Sequence, residues 1–275
     1  MSFEQLFANA ARLPTIPKVL QEIILSFGNP DIDMDIIAKQ IAHEPVLTAK
    51  LLKVANSARY GSPRKIASLN EAIVLLGFPT VRTIVLACGL VDTLSFPAKM
   101  DRRAFWSKAF SVAGCCKWLT QAFTSDDENT AYTSGMIHSM GELLMFVVFP
   151  EKAEETLRLT DSGLALVKAQ QEVFGYNHCE VGAEMAKRWK FPEPICTALA
   201  QQHKPEAYQP TSRLAATLNL ATTIAEQLND DKGIKDIAAG LAGSLLACLN
   251  IDAESLASRL SQVEQFDGGM SALLS

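Results

Sequence analysis

Residues 44–91 read "EPVLTAKLLKVANSARYGSPRKIASLNEAIVLLGFPTVRTIVLACGLV", and this stretch decides the fold class. Pro45 stands where a first helical turn tolerates it, because its missing N–H would be unpaired there in any case. Behind it Val46, Leu47, Leu51, Leu52 and Ala55 recur at helical spacing, so one face of a helix is buried. Ser68 and Glu71, three apart, form a capping box for a second helix, and Gly77 is predicted to close it in the left-handed conformation. Pro79 then opens a third helix. Asn56 interrupts the apolar run and is read as a side chain that caps or bridges backbone where "ANSARYG" turns, a structural role rather than a catalytic one.

Outward from this stretch, helix signals follow one another and alternating strand patterns are missing. Asp33 is the expected N-cap of "MDIIAKQIA". Further helices are predicted over 102–123, 128–148, 163–174, 177–189, 192–203, 212–228, 234–249 and 253–263. No fixed repeat period emerges, which argues against a solenoid. The segment "SFPAKMDRR" at 95–103 carries proline and charge without helical periodicity, so it is read as a junction between lobes. The expectation is an all-α, two-lobed chain: a small N-terminal helical lobe over 1–97, a larger helical lobe over 98–228 and a helical appendage over 229–275. The tail "QFDGGMSALLS", with paired glycines and no capping signal, is expected to be loosely held.

Composition narrows the function classes. The chain has 275 residues, 48% hydrophobic and 20% charged, with net charge -5; without a basic excess, no nucleic-acid partner is expected. The six cysteines contain no C-x-x-C pair and read as reduced, buried, small apolar side chains. The N-terminus lacks a basic segment followed by an apolar one, and the apolar stretches are too short to span a bilayer. The expected location is the cytoplasm, with no membrane partner. Phosphate-binding glycine loops and nucleophile elbows are absent. His178 and Cys179 are neighbours, but adjacent helical side chains point about 100° apart, so they are not expected to act as base and nucleophile. The acidic run "SDDEN" at 125–129 is read as a helix start.

At 133–145, "TSGMIHSMGELLM" carries a histidine into an apolar helix, and a serine follows it. This segment, "EVFGYNHCEVGAEMAKRWKFPEPICTALAQQHKP" at 172–205, and the run from "LPTIPKVL" at 13–20 through "LACGL" at 86–90 resemble the HDOD family, bacterial signalling modules related to HD-domain phosphohydrolases. The most specific part lies between Leu51 and Gly77, and the resemblance spans roughly residues 6–228. It implies the two-lobed helical fold. It also implies where an active HD site would draw its ligands: a histidine from an early helix, a His-Asp pair from the next and an aspartate from a later one. Those positions fall at Phe110, at His138 with Ser139, and near Thr222, so His138 alone remains.

A structural zinc site is worth ~10–16 kcal/mol at four ligands, and losing three removes most of that. The carboxylates that balance the cation charge and activate water are lost with them. No catalytic residue, no metal and no cofactor are therefore expected. Residual ligands for a metal would be His138, His178 and His203, yet each has a local reading. Asn177 and Glu180 form a capping pattern around His178, His203 falls in a last helical turn, and His138 reads as a hydrogen-bonded core histidine.

The resulting expectation is a non-catalytic bacterial regulatory module that binds signalling proteins. Two alternatives stand beside it: a metal-dependent phosphohydrolase acting on nucleotides or cyclic dinucleotides through the three histidines, and a sensor holding a nucleotide or another small ligand uncleaved in the vacated pocket. The candidate partner-binding residues are Arg59, Arg64 and Lys65, flanked by Lys50, Lys53 and Arg82. Charge reversal at the first three is expected to slow association with an acidic partner about tenfold at low salt while thermal stability changes little. If the cations only solvate the surface, stopped-flow rates will not respond.

Overall fold

The computed structural model describes residues 3–8, 16–27, 34–57, 60, 64–97, 100–230, 233–263, 266 and 270–274, and none of them forms a strand. The chain is all-α, as the helical periodicity predicts. Among the described residues no helix is long and apolar enough to cross a membrane. The first six helices are α1 (Phe3–Ala8), α2 (Lys18–Leu25), α3 (Met34–Ala42), α4 (Pro45–Ala55), α5 (Leu69–Leu76) and α6 (Phe78–Thr93). Asp33, the expected cap of α3, lies outside the described residues.

Local chemistry fixes the turn between α4 and α5. The Asn56 amide donates to the carbonyls of Leu52 (2.7 Å) and Ile66 (2.8 Å), and its oxygen accepts from the Ile66 N–H at 2.8 Å. One side chain thus stands in for a strand partner and ties both ends of the turn together. At α5 the Ser68 hydroxyl accepts from the Glu71 N–H, while the Glu71 carboxylate reaches back to the N–H of Ala67, one residue before the cap. Gly77 adopts φ 74° and ψ 150°. Its φ is positive, as expected, but its ψ is extended rather than left-handed helical, because α6 starts at the next residue and the chain must reverse at once.

α6 is buried nearly all round, from Val81 through Val91, and α2, α4, α5 and α8 pack around it. A helix apolar on every face belongs at a centre. Gly89 makes room for Leu20, whose Cδ1 would lie 2.3 Å from a Cβ at 89.

The rest of the chain forms α7 (Arg102–Phe123), α8 (Glu128–Ile137), α9 (Met140–Val148), α10 (Pro150–Asp161), α11 (Leu166–Phe174), α12 (His178–Arg188), α13 (Glu193–Gln201), α14 (Arg213–Asn229), α15 (Ile234–Gly240), α16 (Gly243–Cys248) and α17 (Ala253–Leu260). Asp101 and Asp127 cap α7 and α8 through paired backbone N–H groups, which accounts for the acidic run at 125–129. Several sequence expectations need correction. The helix predicted over 128–148 is two helices broken at His138 and Ser139, and that over 234–249 breaks at Leu241 and Ala242. α10 is absent from the sequence reading altogether, because Pro150, which opens it as an N-terminal proline, reads as a breaker.

The ends of the chain are more integrated than their sequences imply. Phe3 meets Tyr176 edge-on at 5.4 Å and the Arg188 guanidinium lies 4.5 Å from the Phe7 ring, so α1 packs on the second group of helices. Within the tail, the described residues are held in place. Met270 and Leu273 are buried in a 3-10 turn against α4, α6 and α7, and Phe266 packs on Trp118 at 5.6 Å. Apolar burial outweighs the glycines that precede it in sequence.

Candidate functional site

Two close helix contacts build the site. A Cβ at Gly135 would lie 2.6 Å from the Cα of Ala113, which sets α8 directly against α7. A Cβ at Gly141 would lie 2.0 Å from the His178 carbonyl oxygen and 2.5 Å from the Gly182 nitrogen, which sets α9 against the start of α12. His138, at the break between α8 and α9, and His178, at the first position of α12, are thereby drawn into one neighbourhood.

His138 is 5% exposed. Its Nδ1 lies 2.7 Å from the Gly135 carbonyl, an acceptor, so Nδ1 carries the proton and Nε2 the lone pair. The His138 carbonyl accepts from the Gln202 amide at 3.1 Å, and the Asn219 amide donates to the Gln202 carbonyl at 2.7 Å. The helix break is thus bridged to α13 and α14 by buried amides. At His178 both the backbone N–H (2.9 Å) and Nδ1 (2.8 Å) meet Oε1 of Gln170, a buried side chain. The capping box of Asn177 and Glu180 forms as the sequence predicts.

The electrostatics follow from burial. Desolvation holds the His138 imidazole at a pKa of about 4, with the Gly135 hydrogen bond opposing it. Desolvation, reinforced by His138 and His203, holds His178 at about 3. Both rings are neutral at pH 7. His203 lies just past the end of α13, exposed, and is lowered chiefly by desolvation. Three charged groups surround this pair that the sequence reading did not single out. Lys108 of α7 and Glu226 of α14 form an ion pair at 2.8 Å, and both act through space on His138 and on Glu142, one turn beyond His138. Burial pushes the Glu142 carboxyl above the usual carboxylate range. Helical spacing from His138 and Thr222 is the signal that points to Glu142 and Glu226.

The positions at which the resemblance implies ligands hold other chemistry. Phe110 is fully buried and stacks on Trp106 at 5.7 Å. Ser139 is buried at the helix break, and the Thr222 hydroxyl donates to the Leu218 carbonyl at 2.9 Å. Among the described residues no three His, Cys, Asp or Glu side chains come together in an arrangement that could hold a metal ion. Of the three residual histidines, His178 turns its Nε2 toward the Cys179 Sγ, at 3.6 Å. That contact corrects the expectation that His178 and Cys179 avoid each other, since at the first helical position the imidazole can turn back along the helix. Burial pushes the Cys179 thiol up to about 12, so no thiolate forms near neutrality.

The cations of the first helices divide. Lys50 is ion-paired with Asp92, and Arg82 donates to the Ser26 carbonyl at 2.9 Å while lying 3.7 Å over the Phe27 ring. These two serve the fold, which shrinks the surface expected from sequence. Arg64 and Lys65 are exposed, and Arg59 lies outside the described residues.

Comparison with known proteins places this geometry. The family model described as the HDOD domain matches residues 13–205. A protein from Shewanella amazonensis SB2B, provisionally named a phosphohydrolase, is 28% identical and superposes with a TM-score of 0.83 over 98% of each chain. An HDOD domain protein of unknown function from Geobacter sulfurreducens shares the fold at 24% identity, with a TM-score of 0.81 over 97% of this chain and 96% of the other. A protein from Marinobacter aquaeolei VT8, provisionally named for signal transduction, shares it at 21% identity and a TM-score of 0.78, over 97% of this chain and 61% of its own. An uncharacterised Treponema pallidum protein is 26% identical over 223 residues, 76% of this chain but 42% of that relative's length. The chain therefore spans less than half of the curated relative it matches.

Proposed function

The chain belongs to the HDOD domain family, and from that premise we propose that it is a non-catalytic regulatory module which binds signalling proteins and keeps its HD-like helices as scaffold. The observation that carries this reading is Phe110, whose ring is fully buried and stacked at the position where the family resemblance implies a metal-binding histidine. With Ser139 and Thr222 at the other two positions, the residues present do not fit a divalent metal. Phe110, Ser139 and Thr222 supply neither its charge balance nor a carboxylate to activate water, and of the nearby carboxylates Glu226 is paired with Lys108 while burial favours the protonated form of Glu142. The division into 1–97, 98–228 and 229–275 then separates recognition, scaffold and appendage, and exposed Arg64 and Lys65, with Arg59, are the recognition cations toward an acidic partner. A cytoplasmic setting fits six cysteines that are all unpaired.

The two alternatives draw less support. A phosphohydrolase reading has the name of the Shewanella amazonensis relative in its favour, but lacks ligands. A nucleotide held in the vacated pocket would meet the carboxyl groups of Glu142 and Glu226 and two neutral imidazoles, while Lys108, the cation that acts on them among the described residues, is already paired with Glu226. Such surroundings repel a phosphate.

The test is metal content and hydrolysis together. Protein purified without chelator is expected to carry well under one equivalent of zinc, iron or manganese by mass spectrometry of the metal, and to leave a chromogenic phosphodiester intact. About one equivalent of metal, lost along with hydrolysis in His138→Ala, would overturn the reading.

A further inference from the structure

The end of the chain comes back across the molecule. Phe266 packs on Trp118 of α7, and the 3-10 turn at Met270–Leu273 lies against α4, α6 and α7, with Met270 2% and Leu273 8% exposed. Where the tail crosses α7, Gly114 clears its path: a Cβ there would lie 1.4 Å from the Phe266 carbonyl oxygen. The tail is held by apolar contact. Among the described residues it makes no hydrogen bond or ion pair with the helices beneath it. The helix before it, α17, is anchored differently, because the Arg259 guanidinium donates to the Ala122 carbonyl at 2.8 Å and lies 5.0 Å from the Phe123 ring. The tail is therefore attached separately from the helix that leads into it.

A short segment held by a few apolar anchors between helices has the form in which proteins bind segments of other proteins. Ordering such a segment costs entropy along its whole length, and two buried anchors offset little more than that cost. A better-fitting segment can then take its place. The tail also leaves room: beside Val91, Leu273 and Leu274 a cleft of about 400 Å³ stays open. A segment with a bulkier apolar side chain there buries more surface than the tail does. We propose that the tail is a displaceable ligand in cis, and that the groove on α4, α6 and α7 docks an apolar segment of a protein partner in its place. The segment it fits repeats the spacing of Phe266, Met270 and Leu273 and carries an aromatic or long aliphatic side chain where Leu274 borders the cleft. This docking site rests on the regulatory reading, which requires a protein partner, but it uses no residue of the HD-like site and none of Arg59, Arg64 and Lys65.

The probe is a fluorescein-labelled peptide of residues 263–275, its binding to the full chain followed by fluorescence anisotropy. In the double variant Met270→Asp with Leu273→Asp the chain's own tail leaves the groove, because a carboxylate is not buried without a partner. The peptide is expected to bind this variant at least tenfold more tightly than the wild-type chain, whose tail competes for the groove. The same peptide carrying both aspartates should not bind. Adding Gly114→Ala to the variant should weaken the unmodified peptide at least tenfold, since the new methyl group meets its backbone. If the double variant fails to fold, hydrogen exchange on the wild-type chain decides. Amides of 270–274 are expected to exchange at least tenfold faster than those of α6, as release of the tail alone requires; exchange of both in one step would rule it out. No binding to the double variant up to about 1 mM, or equal binding to it and to the wild-type chain, would refute the groove as a docking site. The regulatory reading would then still stand or fall on metal content and hydrolysis.

Discussion

Gly141→Ala is expected to destabilise the protein by about 3 kcal/mol, the largest effect of any single methyl group near the site. In most helices the same change is favourable by up to ~1 kcal/mol, because glycine loses more backbone freedom on folding. Here the added Cβ would lie 2.0 Å from the carbonyl oxygen of His178 and 2.5 Å from the nitrogen of Gly182, both backbone atoms. No rotamer change relieves such an overlap, so α9 must move away from α12. That movement would strain the Gln170 contacts to His178 and the Gln202 contact to the His138 carbonyl. For a chain of this size ~3 kcal/mol corresponds to a fall in Tm of roughly 6–12 °C. Gly240→Ala is the control, because a Cβ there meets nothing within 4 Å. A calorimetric Tm for Gly141→Ala within a degree or so of that control would show that the two helices are not packed as described.

The packing that makes Gly141 sensitive could not be read from the sequence, although much around it could. Period-3.6 patterning with Pro45, Ser68 and Pro79 as punctuation located α4 to α6, because buried faces and orphan backbone N–H groups leave marks within a few residues of each other. Asn177 and Glu180 likewise announced the start of α12. The break at His138 was invisible. It is stabilised by Gln202, 64 positions away, whose amide takes up a carbonyl left by the broken helix. The buried end of the tail was missed for the same reason: Met270 and Leu273 find their apolar partners on helices far back in the chain. Of the candidate site, the residues at 110, 139 and 222 were legible as side chains poorly suited to bind a metal, whereas the Lys108–Glu226 pair required α7 and α14 to be brought side by side.

The neutral histidines lead to the second large effect, a loss of stability on mild acidification. Folded His138 and His178 titrate at about 4 and about 3, against 6.5 for a free imidazole. A depressed base binds fewer protons folded than unfolded, so stability is fully present above the unfolded pKa and falls as pH drops below it. Between about pH 6.5 and pH 4 each ring loses up to ~1.4 kcal/mol per pH unit, which amounts to about 2 kcal/mol per histidine by pH 5. His203 shifts in the same direction but is exposed, so it adds little. Of the charged groups facing the two rings, Lys108 adds to the penalty on protonating both and Glu226 opposes it at His138. Glu142 acts with the other sign. Its pKa is raised, so the cost of burying its charge fades as it protonates, and it recovers part of the loss at the acid end. The expected result is a urea midpoint that holds steady above about pH 7 and drops steeply between pH 6.5 and pH 5. In His138→Gln, whose amide can still donate to the Gly135 carbonyl, that slope should fall by about half whatever the variant's stability at neutral pH. A slope equal to that of the wild-type chain would mean that the His138 imidazole is not held neutral by its surroundings.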